Sequence, residues 1–177
     1  MSVAVKIDTL KLDLACGQSK REGFVGVDRS ALPGVDVVCD LETFPWPWAD
    51  DSVQEIFCSH YVEHTRDLIA FMNEVYRVCQ DGATVTLVHP YLKSVRAFQD
   101  PAHVRFIPEQ TWAYFSREWR TVNKLDHYPI TAHFDPITIV AIYAPPWHLK
   151  SDEARQFAVT HYWDVIQDLT VTLMVKK

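Results

Sequence analysis

Four residues of types common in binding sites lie at or just after the ends of short apolar segments. Gly17, Asp28, Asp40 and His60 occupy these positions. A glycine allows a ligand to approach the backbone closely, and an aspartate carboxylate accepts hydrogen bonds from hydroxyl groups. A histidine takes up or releases a proton near neutral pH. Together these residue types suit a nucleoside-bearing ligand with a proton-transfer group beside it.

The apolar segments that carry these residues have the length and the β-branched composition of buried strands. They span residues 10–15, 24–27, 35–39, 53–58 and 83–88. Carboxyl ends of parallel strands meet at one edge of a sheet, and ligands bind at that edge. We therefore expect the polar residues to gather there.

A helix is predicted between the last two strands, because apolar residues recur there at three- and four-residue steps. The stripe consists of Leu68, Met72, Val75, Tyr76 and Cys79, and we expect Asp81-Gly82 to end the helix. Strand, helix and strand with these connections predict a parallel crossover, and hence an α/β fold.

The second half of the chain is less regular. We expect a helix from Pro108 to about Glu118, strands over 134–143 and 169–175, and a helix that begins near Ser151. There are no repeats, low-complexity segments or obvious linkers, so we interpret residues 1–177 as a single domain.

Three motifs resemble those of Rossmann-like (class I) methyltransferases that depend on S-adenosylmethionine (SAM). They are the first strand and turn over 12–18, Gly26-Val27-Asp28, and the segment 59–64 with its following helix. The resemblance covers residues 10 to 110 and is closest to small methyltransferases associated with glycan and cell-surface biosynthesis. It implies a three-layer, mostly parallel sheet with an antiparallel C-terminal edge.

The resemblance also implies which residues bind SAM. Residues Asp13, Ala15, Cys16 and Gly17 would wrap the methionine part, Asp28 would accept from the ribose hydroxyls, Asp40 and Leu41 would contact adenine, and Ser59 would face the sulfonium together with His60.

The first crossover is shortened, because Gly17 and Asp28 are only 28 − 17 = 11 residues apart. This stretch holds one or two helical turns at most, which weakens the contribution of a helix N-terminus at the cofactor. It also argues against a dinucleotide, whose pyrophosphate needs further glycines and a following helix.

Methyl transfer from SAM requires alignment of the nucleophile with the methyl group and, for many acceptors, removal of a proton. His60 and His103 are the candidate catalytic bases, and Glu63 is a weaker one. We expect the acceptor to be a small molecule, a sugar or a nucleotide sugar that offers an oxygen or nitrogen nucleophile.

Two alternatives remain open. The shortened first crossover is compatible with an inactive SAM-fold binding module or partner subunit. Residues 60–64 also match the H-x-x-E-H pattern of inverted zinc peptidases, in which His60 and His64 lie on one helical face with Glu63 as base. We otherwise expect no metal ligands, with Glu63 and His64 beginning the helix and remaining in water.

The composition restricts the protein's surroundings. The 177 residues carry a net charge of -6, which argues against a nucleic-acid partner or an anionic membrane surface. The four cysteines form no zinc-finger or disulfide pattern, so we expect core thiols and a cytoplasmic location. No apolar stretch could cross a membrane, residues 1–6 do not resemble a signal peptide, and an oligomer is possible.

Overall fold

The strands of this protein form one seven-stranded sheet in a computed structural model that describes residues 10–177. The strands are β1 Leu10–Leu14, β2 Val25–Asp28, β3 Val37–Val38, β4 Val53–Ser59, β5 Cys79–Pro90, β6 Phe134–Tyr143 and β7 Ile166–Val175. The expectation about a signal peptide concerns residues that lie outside this description.

The order of the strands across the sheet is β3-β2-β1-β4-β5-β7-β6. All pairs from β3 to β5 are parallel, whereas β7 runs antiparallel to both β5 and β6. The predicted α/β class, the parallel sheet and its antiparallel C-terminal edge are confirmed.

All of the α-helices within residues 10–177 follow β4 in the chain. They are α1 Leu68–Val78, α2 Arg96–Gln99, α3 Arg117–Val122 and α4 Asp152–His161, and two 3-10 helices span Glu109–Phe115 and Trp147–Leu149. Among the described residues no helix is long and apolar enough to cross a membrane.

The two faces of the sheet are covered to different extents. Leu12, Ile56, Val85 and Leu173 lie side by side on one face and are fully buried in the core, which includes α1 and the longer 3-10 helix. On the other face, several residues of β4, β5 and β7 are partly exposed, as at Phe57, Thr86 and Thr172.

Turns replace the helix of the first crossover, as the short spacing predicted. Asp13 is buried on the less covered face, and its Oδ2 accepts a hydrogen bond from the Arg21 amide at 2.7 Å. The Arg21 guanidinium lies 3.8 Å from the ring centre of Phe57, the register partner of Asp13 on β4. The first connection therefore packs directly on the sheet.

Two predicted helix ends are wrong. Helix α1 ends at Val78 rather than at Asp81-Gly82, because Cys79 is extended and pairs with Val53 at the start of β5. The helix expected from Pro108 to Glu118 is interrupted at Ser116, whose extended backbone and side-chain oxygen cap α3 through the Trp119 amide.

Candidate active site

A cavity of about 560 Å³ lies at the carboxyl ends of β1, β2 and β3. Its wall includes four of the predicted cofactor residues, Ala15, Asp28, Asp40 and Leu41. Cavities of this size hold ligands as large as a nucleoside derivative. The structure thus brings these four residues together at the sheet edge where ligands are expected.

Backbone amides fix the carboxylate of Asp28 at the end of β2. The Gly17 amide donates to Oδ2 at 3.1 Å, and the Ser30 amide donates to Oδ1 at 2.9 Å. A carboxylate has about four acceptor positions. Asp28 can therefore accept two further hydrogen bonds, as the adjacent hydroxyls of a ribose require.

Asp40 and Leu41 form the wall beyond β3. Asp40 accepts from the Glu42 amide at 3.0 Å and from the Thr43 hydroxyl at 3.2 Å, which orders the turn. The Leu41 carbonyl accepts from the indole of buried Trp46 at 3.3 Å. The core thus holds this loop in a position where an adenine ring could lie against it.

The turn after β1 approaches the cavity with an unusual backbone. Ala15 has a φ of 54° and Gly17 a φ of 52°, both in the left-handed region that glycine tolerates best. The Cys16 amide donates to the Val27 carbonyl at 3.1 Å, which secures this conformation. Strained residues of this kind cluster at ligand sites.

Several predicted cofactor residues lie outside the cavity wall. Asp13, Cys16, Gly17 and Ser59 belong to this group. Asp13 supports the first connection, and burial raises the pKa of its carboxyl although the Arg21 amide and charge oppose this. Gly17 acts on the site through Asp28, by donating to its carboxylate.

His60 and Glu63 form a pair beyond the end of β4. His60 has a φ of 54°, and its Nδ1 lies 3.2 Å from Oε1 of Glu63, whose residue is only 2% exposed. The hydrogen bond to Glu63 raises the pKa of His60, against the effect of its partial burial. The Oε2 atom of Glu63 is buried without a hydrogen-bond partner among residues 10–177.

His103, in the loop after β5, lies close to the same Glu63 side chain. Its Nδ1 lies 2.9 Å from the Ala97 carbonyl, and its Nε2 lies 4.0 Å from Glu63 Oε1. The Val104 amide donates to the Glu63 carbonyl at 3.0 Å, which fastens this loop to the turn. The structure therefore brings together both predicted catalytic histidines.

One alternative and one expectation about residues 60–64 do not hold. The segment forms turns, so the helical H-x-x-E-H arrangement of a zinc peptidase is not formed. Glu63 and His64 do not begin the helix, since α1 starts at Leu68 with Asp67 as its cap, and Glu63 is buried, with the loop that contains Val104 hydrogen-bonded to its backbone.

Other residues of the cavity wall were not predicted. They include Tyr61, Arg66, Ala102 and Val104, and also His64, which faces the cavity beside Glu63. Ala102 and Val104 flank His103, so that histidine was the one sequence signal that marked their loop.

The comparisons with known proteins support a methyltransferase. A family described as "Methyltransferase domain" matches residues 4–87, just under half of the chain. None of the curated proteins matches.

Solved structures show the same fold across nearly the whole chain. A SAM-dependent methyltransferase from Archaeoglobus fulgidus is 17% identical with a TM-score of 0.67, over 94% of this chain and 86% of that one. Geranyl diphosphate C-methyltransferase from Streptomyces coelicolor, solved with S-adenosyl-L-homocysteine, is 14% identical with a TM-score of 0.59, over 94% and 72%. A structure of the Haloferax volcanii Trm112 methyltransferase activator with a methyltransferase gives 15% and 0.52, over 96% and 84%.

The sheet order and the solved structures give this chain the fold of class I methyltransferases, and the first part of the chain matches a methyltransferase domain family.

Proposed function

We propose that this protein is a SAM-dependent methyltransferase that methylates an oxygen or nitrogen atom of a small polar acceptor, such as a sugar or a nucleotide sugar. The proposal is supported chiefly by one juxtaposition. The carboxylates of Asp28 and Asp40 face one cavity, and a histidine-rich pair of segments closes the same cavity through His64 and Ala102. One side offers acceptors for a ribose, and the other offers groups that bind or deprotonate a nucleophile.

SAM supplies an electrophilic methyl group on its sulfonium. In our proposal Asp28 holds the ribose hydroxyls, Asp40 and Leu41 contact the adenine, and residues 13–17 with Ser59 surround the methionine part. These contacts fix the methyl group in line with the acceptor atom, which is the largest contribution that a protein makes to a direct displacement.

His60 accepts the proton that the acceptor loses as the new bond to carbon forms and the bond to sulfur breaks. Glu63 orients the ring through the 3.2 Å contact with Nδ1 and stabilises the imidazolium that results. His103, on the other side of Glu63, is the second histidine available to contact the acceptor.

We also propose a single domain in the cytoplasm, with a small-molecule or glycan-type acceptor and no nucleic-acid partner. Cys16, Cys39, Cys58 and Cys79 are all free thiols, as a reducing compartment would keep them.

The first test is calorimetric titration with SAM and with S-adenosyl-L-homocysteine. We expect Asp28→Ala to weaken SAM binding by about 1–3 kcal/mol, the usual cost of losing a charged hydrogen-bond acceptor. Asp152→Ala, which removes an exposed carboxylate on α4, serves as the matched control and should bind as the wild type does. An unchanged dissociation constant for Asp28→Ala would place the ribose elsewhere.

The second test is turnover, followed by transfer of a labelled methyl group from SAM to a panel of sugars, nucleotide sugars and small amines. Transfer to one of them supports the proposal. SAM binding without transfer to any acceptor would favour the alternative of a binding module, for which the absence of a helix after β1 is the structural argument.

A further inference from the structure

The side chains of Glu63, His64 and His103 converge beside the cavity. One ligand atom from each, a carboxylate oxygen and two imidazole nitrogens, lies within 4.8 Å of the others. A tetrahedral zinc ion with bonds of about 2.0–2.1 Å needs its ligand atoms roughly 3.3 Å apart. The three atoms therefore have to approach one another by up to about 1.5 Å, a distance that side-chain rotations cover.

The hydrogen bonds of His64 and His103 leave the Nε2 atom of each ring free to bind a metal ion. His64 Nδ1 lies 3.2 Å from the Ala102 carbonyl, and His103 Nδ1 lies 2.9 Å from the Ala97 carbonyl. A carbonyl oxygen only accepts, so in each ring Nδ1 carries the hydrogen and the neutral ring has its lone pair on Nε2. Metal-binding histidines are held in this way by backbone carbonyls.

The carboxylate of Glu63 also lacks a full set of hydrogen-bond partners. Oε1 contacts His60 Nδ1 at 3.2 Å, whereas Oε2 is buried with no hydrogen-bond partner within the described part of the chain. Leaving a buried carboxylate oxygen unsatisfied costs free energy. A cation bound by this carboxylate together with His103, whose Nε2 lies 4.0 Å from Oε1, would compensate the charge of the buried group.

The three residues are also held together without a metal. The Val104 and Arg105 amides donate to the Glu63 carbonyl at 3.0 and 3.3 Å, and the His103 amide donates to the Asp100 carbonyl at 3.2 Å. The His64 and His103 rings pack edge to face with centroids 4.7 Å apart. These contacts therefore hold the three ligand residues close together before a metal ion binds.

We propose that Glu63, His64 and His103 bind a divalent transition-metal ion of the zinc type at the acceptor end of the cavity. Two imidazoles and one carboxylate are the ligands such ions prefer, whereas Mg²⁺ and Ca²⁺ prefer oxygen ligands alone. This site differs from the one considered from the sequence, since His60 is not a ligand and the third ligand comes from the loop after β5.

Because His64 lines the cavity, an ion bound by this cluster would lie beside the space that we assign to the acceptor. A hydroxyl or phosphate oxygen of the acceptor would bind to the ion, and the ion would lower the pKa of a bound hydroxyl. This assignment of the acceptor rests on the proposed function, whereas the binding of the ion does not.

The test uses the full chain without a histidine tag, stripped of metal with a chelator and titrated calorimetrically with Zn²⁺. We expect one ion per chain, and a dissociation constant at least about 100-fold weaker in His64→Ala, His103→Ala and Glu63→Gln. Loss of an outer partner alone costs 10–100-fold, so loss of a ligand costs at least as much. His127→Ala, which removes an exposed histidine outside the cluster, should leave the constant within about threefold.

Two further measurements make the outcome decisive. Circular dichroism of the metal-free variants shows whether they are folded, and Co²⁺ in place of Zn²⁺ should give the visible absorption of a four-coordinate site in the wild type only. Absence of stoichiometric Zn²⁺ binding, or equal binding by all three folded variants, would overturn the proposal.

Titration of the metal-free wild type with SAM separates the metal-site hypothesis from the proposed cofactor site. SAM binding without Zn²⁺ binding rejects the metal site alone. Zn²⁺ binding without SAM binding rejects the proposed cofactor site alone.

Discussion

At the scale of single residues, two side chains stand where the backbone adopts a conformation that glycine accommodates best. Ala15 and His60 follow the neighbouring strands β1 and β4, and both have φ near 54°. Each costs of order 1–2 kcal/mol relative to an ordinary conformation. The strain is concentrated at the edge of the sheet where cofactor and acceptor would meet, which supports a functional role for this edge.

His60→Gln tests the role of the first histidine. Glutamine retains polarity but cannot take up a proton, so we expect methyl transfer to fall by about 10²–10⁴-fold. The dissociation constant of SAM should stay the same, because His60 contacts Glu63 and not the residues proposed for the cofactor. An equal loss of SAM affinity and of turnover would indicate that His60 acts by shaping the cofactor site.

At the scale of elements, helix α1 holds the loop that forms one wall of the cavity. Glu74, buried on α1, accepts a hydrogen bond from the Trp46 amide at 2.6 Å and pairs with Arg77 at 2.6 Å. Arg77 in turn donates to the Trp48 carbonyl at 3.0 Å. The Pro-Trp-Pro-Trp segment is thereby bound to α1, with Trp46 in the core and Trp48 packed against it.

The pKa of Glu74 gives this contact a pH dependence. Burial raises the pKa of the carboxyl, but the hydrogen bonds from Arg77 and Trp46 outweigh it and the pKa lies below its usual 4.5. A lowered folded-state pKa means that the contribution to stability is complete above pH 4.5 and is lost as the pH falls below that value.

Glu74→Gln should therefore lower the free energy of unfolding by about 1–3 kcal/mol at pH 7. The difference from the wild type should shrink at pH 3.5, because below pH 4.5 the unfolded chain binds a proton at Glu74 more readily than the folded chain does. Urea unfolding of both proteins at the two pH values measures this. The same difference at both values would show that the charge of Glu74 contributes nothing.

Some of the secondary-structure elements were predicted from the sequence more accurately than others. Strand β6 was predicted with its observed ends, because β-branched and aromatic residues predominate over 134–143. Strand β3 is only Val37–Val38, although four apolar residues within 35–39 suggested a longer strand. It lies at the edge of the sheet, where only β2 is available for pairing. The burial of Glu63 could not be predicted, since its cover comes from a loop that is distant in the sequence.

At the scale of the whole molecule, the sheet has one fully buried face and one that is partly exposed. Parallel sheets are usually covered on both faces by crossover helices. Turns take the place of a helix after β1, β2 and β3, and the only long crossover helix, within residues 10–177, is α1 between β4 and β5. Short connections thus explain both the unequal faces and the direct access to the cavity.

Adjacent residues on β7 test this asymmetry. Leu173 is fully buried and Met174 is 43% exposed on the opposite face. Leu173→Ala should lower the free energy of unfolding by about 2–5 kcal/mol, and Met174→Ala should change it by about 0.5 kcal/mol or less. Urea denaturation provides both values. Similar losses for the two variants would mean that the second face is packed as tightly as the first.

The position of Cys39 in the cavity wall gives the protein a built-in reporter of occupancy. Cys58 and Cys79 are almost fully enclosed, with pKa values that burial raises, and such thiols react slowly with alkylating reagents. The pKa of the Cys39 thiol is also raised, by burial and by the charge of Asp40, but this residue is partly exposed, so a reagent can reach it while the cavity is open and a bound molecule would shield it. Iodoacetamide footprinting at mildly alkaline pH therefore follows filling of the cavity by mass spectrometry, without any introduced label.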